Sequence, residues 1–367
     1  MTRDPNLPPQ NSKRVLERLV ALARAELGAD VCALFTFEDD FAQLRALAGD
    51  GTRFGLAAGT YRELNGPVTL ETLFPAATLA QDIGAYLATP VRGAGMLCLL
   101  REPAEPVWDA SDERVASALA AAVAEALAAE AELLHRRDAV AELLRTEALR
   151  ILFQPVFELV SGDLVAYEAL ARFPGEPERP PADWFADAGD VGLGVDLELA
   201  ALRAALDQLD EVPADVSLSL NISPVAAVSP RFAEHVRPVA DRIVIELTEH
   251  SSIPDYAPLA SALGELRARG ARLAIDDVGA GYATLRHVLN LAPDIVKLDL
   301  SLTHNIAGDP RRRALAAALV DFTDELGATV AAEGIESARD FALLRDLGVS
   351  HGQGFYLGPP STLGSLR

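Results

Sequence analysis

The hydrophobic rhythm of the chain changes near residue 150. Residues 1–12 are polar and proline-rich without apolar periodicity, which predicts a disordered tail. Ser12 is then placed to cap a helix from Lys13 to about Leu27, with Val15, Leu16, Leu19, Val20 and Ala23 on one face. The runs DVCALFTFE (30–38) and QLRALAG (43–49) predict strands, and YLATPVR (86–92) with GMLCLL predicts a hairpin across Gly93–Gly95. Residues 50–88 follow no clear period. A second helix is predicted from about Ser111 to about Arg145. Residues 13–135 therefore predict a small α+β domain, with 136–148 as a helical linker. The linker helix breaks a strict heptad at Glu130 and Arg137, which leaves two readings open: a plain connector, or a parallel dimer seam that passes a signal onward.

Beyond the linker, residues 149–367 alternate short β-rich runs with Ala/Leu-rich helical segments such as 257–270, 310–327 and 338–347. The strand-like runs are LFQPVFEL, LVAYEALAR, VSLSLNIS, RIVIELTE, RLAIDDVG, DIVKLDL, ATVAAEGIE and HGQGFYLG. Repetition on this scale suits one TIM-like (β/α)8 barrel, with a doubly wound sheet as the alternative. Nearly every run ends in polar or acidic residues, which favours the barrel, because there the strand ends converge on one face.

Charge narrows the functions available. The net charge of −22 argues against polymeric nucleic acid or an anionic membrane as a general partner. No signal-peptide pattern and no sufficiently long apolar stretch is found, so a cytoplasmic protein is expected. Cys32 and Cys98 lie in apolar runs and are expected to be buried free thiols.

The strand ends carry the chemistry: Glu168 and Arg172, Asn221, Glu246 and Glu249, Asp276 and Asp277, Lys297 and Asp299, Glu333 and Glu336, and Gln353. A lone strand-end carboxylate is ordinarily a solvated turn residue or a helix cap. So many on successive strands cannot all stay ionised in a pocket without cations. The set is all oxygen, with no His at ligand spacing and no Cys, which fits Mg²⁺ or Mn²⁺ and fits Zn²⁺ poorly. Adjacent Asp276 and Asp277 allow one carboxylate to bridge two ions, the arrangement of two-metal phosphoryl chemistry. Only two of the 32 basic residues are lysine, Lys13 and Lys297, so the lysine among the acidic strand ends stands out in an arginine-biased chain. A compact ammonium suits a crowded ion site better than a guanidinium, and Asp299, two residues on, is expected to orient it from the same strand face.

Together these residues resemble the EAL family of cyclic di-GMP phosphodiesterases. The triplet Glu168-Ala169-Leu170 stands within YEALAR, with FQPV, NIS, ELTE, DDVGAGYATL, VKLD, AEGIE and QGFYLGPP in order from about Leu149 to Pro360. The resemblance implies metal-dependent opening of one phosphodiester of cyclic di-GMP to linear pGpG. It implies Glu168, Asn221, Glu246 and Asp276 as ligands of one ion, with Asp276 shared and Asp277 on the second. It further implies Glu333 as second-site ligand or general base, Lys297 near the attacking water, and Gln353 as a polar contact beside them. Gln154, Leu170 and Arg172 are implied substrate contacts, and Glu249 the anchor of the loop after Asp277. Val278, Ala280 and Ala283 depart from the usual loop, and the last helix looks short. The N-terminal region more loosely resembles a GAF sensor, which implies regulation by a small-molecule effector or by dimerisation, and hence a homodimer. The alternative to an enzyme is a catalytically silent cyclic di-GMP receptor signalling through the linker helix; a third possibility is another nucleotide substrate.

Overall fold

The structure, a computed structural model, describes residues 10–38, 41–50, 56, 61–63, 73, 85–101, 107–175, 179–248, 253, 255–279 and 282–366. The expected tail before residue 10, Glu249, Ala280 and most of 50–88 lie outside these residues. The chain divides into two compact units, Met1–Arg136 and Arg137–Arg367. Among the described residues no helix is long and apolar enough to cross a membrane.

The first unit is a five-stranded antiparallel sheet flanked by helices. Strands β1 (Val31–Glu38), β2 (Phe41–Ala48), β3 (Tyr61–Glu63), β4 (Ala85–Val91) and β5 (Gly95–Arg101) lie in the order β3-β2-β1-β5-β4. The first helix runs Gln10–Glu26, so Ser12 lies inside it and does not cap it. Its buried positions are Leu16, Val20 and Ala23, whereas Val15, expected on that face, is exposed. Leu27, just past the helix end, enters the same core. Strand alternation sends Cys32 to the helix-side core and Cys98 to the opposite one, and both thiols are free. Burial pushes the Cys32 thiol up to about 12 and Cys98 higher still, so neither is a nucleophile near neutral pH.

A 37-residue helix, Ala110–Thr146, follows. Asp109 starts it: its Oδ1 accepts from the backbone N–H groups of Ser111 and Asp112, and Asp112 accepts in return from the Asp109 N–H. Ala116, Ala120, Val123 and Leu127 pack into the first unit's core, and Val140 and Leu143 pack into the second unit. Glu130, a break in the apolar pattern, is 3% exposed and accepts from the Arg45 guanidinium at 2.9 and 3.0 Å.

The second unit is a closed eight-stranded barrel. Its strands are β6 (Arg150–Glu158), β7 (Leu164–Arg172), β8 (Ser217–Ile222), β9 (Ile243–Leu247), β10 (Arg272–Val278), β11 (Ile295–Leu298), β12 (Thr329–Ala332) and β13 (His351–Gly352). The barrel is not all parallel. β6 runs antiparallel to both neighbours, β7 and β13, because β6 and β7 are joined by a tight turn through Gly162 and have no room for a crossover helix. The other strands pair in parallel, and the outer helices bury the main apolar core against them. Inside, Ala166, Ser219 and Ala331 are small, which leaves a cavity of about 30 Å³ below Glu246 and Lys297.

Candidate active site

Register brings the polar strand positions into one layer. Glu168 of β7 pairs with Gln154 on one side and with Ser219 on the other. Asn221 of β8 pairs with Glu246 of β9, and Glu246 with Ala274 of β10. Asp276 follows two residues later on the face of Ala274. Lys297 of β11 pairs with Ala331 of β12, which ends one residue before Glu333.

Two successive aspartates in a regular strand would point to opposite faces. Here the β10–β11 register shifts between Ile275 and Val278, and Asp277 takes a left-handed conformation with φ 55°. A bulge of this kind re-aims a side chain at the rim of a barrel. The outcome is that carboxylate oxygens of Asp276, Asp277 and Glu333 lie within 4.8 Å of one another.

Lys297 stands at the centre, 3% exposed. Its Nζ lies 2.6 Å from Glu333, 2.8 Å from Glu246, 3.3 Å from Asp276 and 3.5 Å from Glu168. Burial alone would favour a neutral amine, but the four carboxylates raise its pKa, so it stays charged. Asp299 is not among its partners. β11 ends at Leu298, so Asp299 has left the strand face and caps the next short helix by accepting from the Ser301 N–H. Asp299 also faces Asp277. Burial, then Asp276 and Asp299, pushes Asp277 up to about 6.

The carboxylates respond unequally. Burial raises Glu246, and neighbouring Glu168 adds to it; Ser219 Oγ donates to Glu246 Oε1. Burial also opposes ionisation of Glu168, but Lys297 outweighs it together with Gln353 and Asn221, which donate at 2.5 and 2.8 Å. Glu168 is therefore held below the ordinary range. Burial pushes Glu333 up to about 8 despite Lys297. One layer thus holds a carboxylate kept ionised beside others poised to hold a proton near neutral pH.

Gln353 donates to Glu168 and, at 3.3 Å, to Glu333, while its own buried Oε1 has no hydrogen-bond partner among the described residues. Gln154 is buried in the adjacent strand and donates to the Gly358 carbonyl at 3.2 Å. Leu170 and Arg172 continue the inward face of Glu168 toward the rim, half-buried, and Arg172 donates to the Ala171 carbonyl. Glu336 stays out of the layer and pairs with His304 at 3.3 Å. Val278 is buried under the bulge and pairs with Leu298. Ser219 was not singled out from the sequence. Its signal was its place two residues before Asn221 in an alternating strand, a polar side chain on the inward face.

A buried ring of carboxylates at strand ends around one lysine, on an eight-stranded barrel with one reversed strand, defines a class of acidic-site barrel proteins. The EAL domain model matches residues 137–360 and the GAF domain model residues 11–127; the chain belongs to the EAL family. A cyclic di-GMP phosphodiesterase of Pseudomonas aeruginosa is 30% identical over 226 residues, covering 58% of this chain and 38% of the relative. The chain thus matches little more than a third of that relative's length. The PaMucR phosphodiesterase, solved with cyclic di-GMP, is 26% identical with a TM-score of 0.57, over 64% of this chain and 100% of that one. An EAL-domain protein of Bacillus subtilis, solved with cyclic di-GMP and calcium, shares the fold at 24% identity and a TM-score of 0.53, over 60% of this chain and 58% of that one.

Proposed function

We propose that this chain hydrolyses one phosphodiester bond of cyclic di-GMP to linear pGpG, with two divalent cations, Mg²⁺ or Mn²⁺. The observation that carries this is the single layer in which Glu168, Asn221, Glu246, Asp276, Asp277 and Glu333 meet around Lys297. The donor set fits hard cations: it is all oxygen, it holds more carboxylates than Lys297 can balance, and Gln353 Oε1 is an open buried acceptor. Glu168, Asn221, Glu246 and Asp276 would hold one ion; Asp276, Asp277 and Glu333 would hold the second. Bound cations supply phosphoryl polarisation and a more acidic water.

The chain's own residues do the rest. Arg172 engages a phosphate oxygen, with Leu170 and Gln154 bordering the nucleotide. Glu333, ionised once cations balance the charge of the layer, accepts a proton from the attacking water. The water oxygen bonds to phosphorus, the bond from phosphorus to the ribose 3′-oxygen breaks, and that oxygen takes its proton from bulk water, to which Glu333 returns the one it accepted. Lys297 holds positive charge beside the phosphoryl oxygens that gain charge. Gln353 fixes Glu168 and Glu333 relative to each other. Glu249 is assigned the anchoring of the loop after Asp277. The GAF domain is assigned regulation, through a small-molecule effector or pairing with a second copy, and a cytoplasmic location belongs to the same proposal.

The test is to incubate the full chain with cyclic di-GMP and Mg²⁺ or Mn²⁺ and follow products by chromatography. Linear pGpG is expected. Tight binding without turnover in either cation would make the protein a receptor.

A further inference from the structure

Arg172 is the last residue of β7, and little of the barrel holds it. The β7–β8 ladder stops at Ala169–Leu220, so the stretch from Leu170 onward is paired only on its β6 side. That pairing begins at Arg150–Arg172. Arg150 lies four residues after the end of the Ala110–Thr146 helix, beyond a sharp turn in which Glu147 takes φ 49°. The strand that flanks Arg172 is therefore aimed by the end of this helix.

A second link runs through the next residue. Phe173 is buried at 4% exposure and packs with Val140 and Leu143 of the same helix, and with Ala188 and Leu197. It stacks on Trp184 with ring centroids 5.5 Å apart at 27°, and meets Phe185 edge-on at 5.5 Å. Arg179 covers the other ring, 5.3 Å from the Trp184 centroid, and is pinned by Asp187 at 2.5 Å. Strand alternation puts Phe173 opposite to Arg172, outside against the helix while Arg172 faces the site.

We propose that Phe173, seated on Val140 and Leu143, is a positioning residue for Arg172, and that the long helix sets cyclic di-GMP affinity through it. This rests on the assignment of Arg172 as a substrate contact. Residues 116–127 of the same continuous helix pack into the core of the first unit. A change in helix register or tilt reaches Arg172 through two short connections, Leu143–Phe173 and Thr146–Arg150. Glu168 and Glu246, two of the carboxylates of the cation site, lie deeper in the barrel and are paired with a neighbouring strand on each side. Regulation by this route therefore changes binding more than turnover.

The experiment is a double-mutant cycle on the full chain, reading the dissociation constant for cyclic di-GMP by calorimetry with Ca²⁺, and kcat with Mn²⁺. Leu143→Ala and Phe173→Leu are each expected to weaken binding about tenfold, the scale of one misplaced charge-assisted hydrogen bond, with kcat changed less than about threefold. Arg172→Ala is expected to weaken binding at least as much. Added to Arg172→Ala, Leu143→Ala is expected to weaken it less than about twofold further. Thermal melts identify a variant that has lost its fold, and Phe173→Leu keeps the test open if Leu143→Ala does. If Arg172→Ala leaves affinity unchanged, the substrate contact fails and the positioning role with it. If Arg172→Ala acts as expected but neither Leu143→Ala nor Phe173→Leu shifts affinity, or their effects add fully to it, the positioning role alone is overturned.

Discussion

The two units each bury charge, and they do it in opposite ways. In the first, Glu130 meets only Arg45 among the described residues, at 2.9 Å. One cation faces one anion, and the pair closes on itself. In the barrel, one ammonium faces four carboxylates, with Asp277 alongside. A self-balanced pair fixes a helix against a sheet and asks for no ligand. A surplus of buried negative charge is costly for folding, and such a site becomes economical only when cations enter it. The difference separates a structural use of buried charge from a chemical one.

The largest effect expected is on turnover. Glu168→Gln keeps size and the hydrogen-bonding role toward Asn221 but removes a charged ligand, and should lower kcat by at least about a thousandfold in a product assay, in line with loss of an electrostatic catalytic element. Survival of turnover in that variant would remove Glu168 from the site. Lys297→Arg keeps the charge yet brings a planar fork into a space built for a point charge. It should lose most activity while melting near the parent temperature; near-normal turnover would return the lysine to a structural role.

Stability distinguishes the two clusters next. Glu130→Leu leaves Arg45 partly buried and unpaired and should destabilise the first unit by about 3 kcal/mol in denaturant unfolding. Replacing both, Arg45→Met with Glu130→Leu, should restore most of that loss, as expected where a closed pair is exchanged for apolar packing. If the double replacement is as unstable as the single one, the pair is not self-contained.

The smallest effect is a pH dependence of the cation-free protein. Glu333 is held at about 8 and Asp277 at about 6, both above unfolded carboxylates at about 4. Between these values the folded state binds more protons than the unfolded state, so stability falls as pH rises from about 5 to about 8. Glu168, held low, is ionised in both states over that window, and Lys297, held high, is charged in both. Melting temperature in a chelator should therefore drop over this range, and Mn²⁺ should flatten the slope by replacing the protons. A rising or flat profile in the chelator would show that these carboxylates are not destabilised by one another.

Much of the barrel site was legible in the sequence because its signals are local. Polar residues interrupt apolar strand runs at positions that period-two alternation sends inward, and the motifs stand in order. What was not legible depends on tertiary geometry. The reversal of β6 follows from a tight turn at Gly162, where a regular (β/α)8 barrel would carry a crossover helix. Asp299 was expected to serve Lys297, but the strand ends one residue too soon. The bulge that turns both Asp276 and Asp277 to one place is a backbone event that residue types do not announce. Glu130 looked like a break in a heptad because its partner lies 85 residues away, beyond the reach of any periodicity.

The most direct measurement is equilibrium dialysis of the full chain against Mn²⁺ with cyclic di-GMP present, counting bound ions. The surplus of carboxylates around Lys297 predicts two ions per chain in the parent protein and a loss of tight binding in Glu168→Gln. Two ions retained in Glu168→Gln, or no tightly bound ion in the parent, would contradict the account of this layer as a two-cation site.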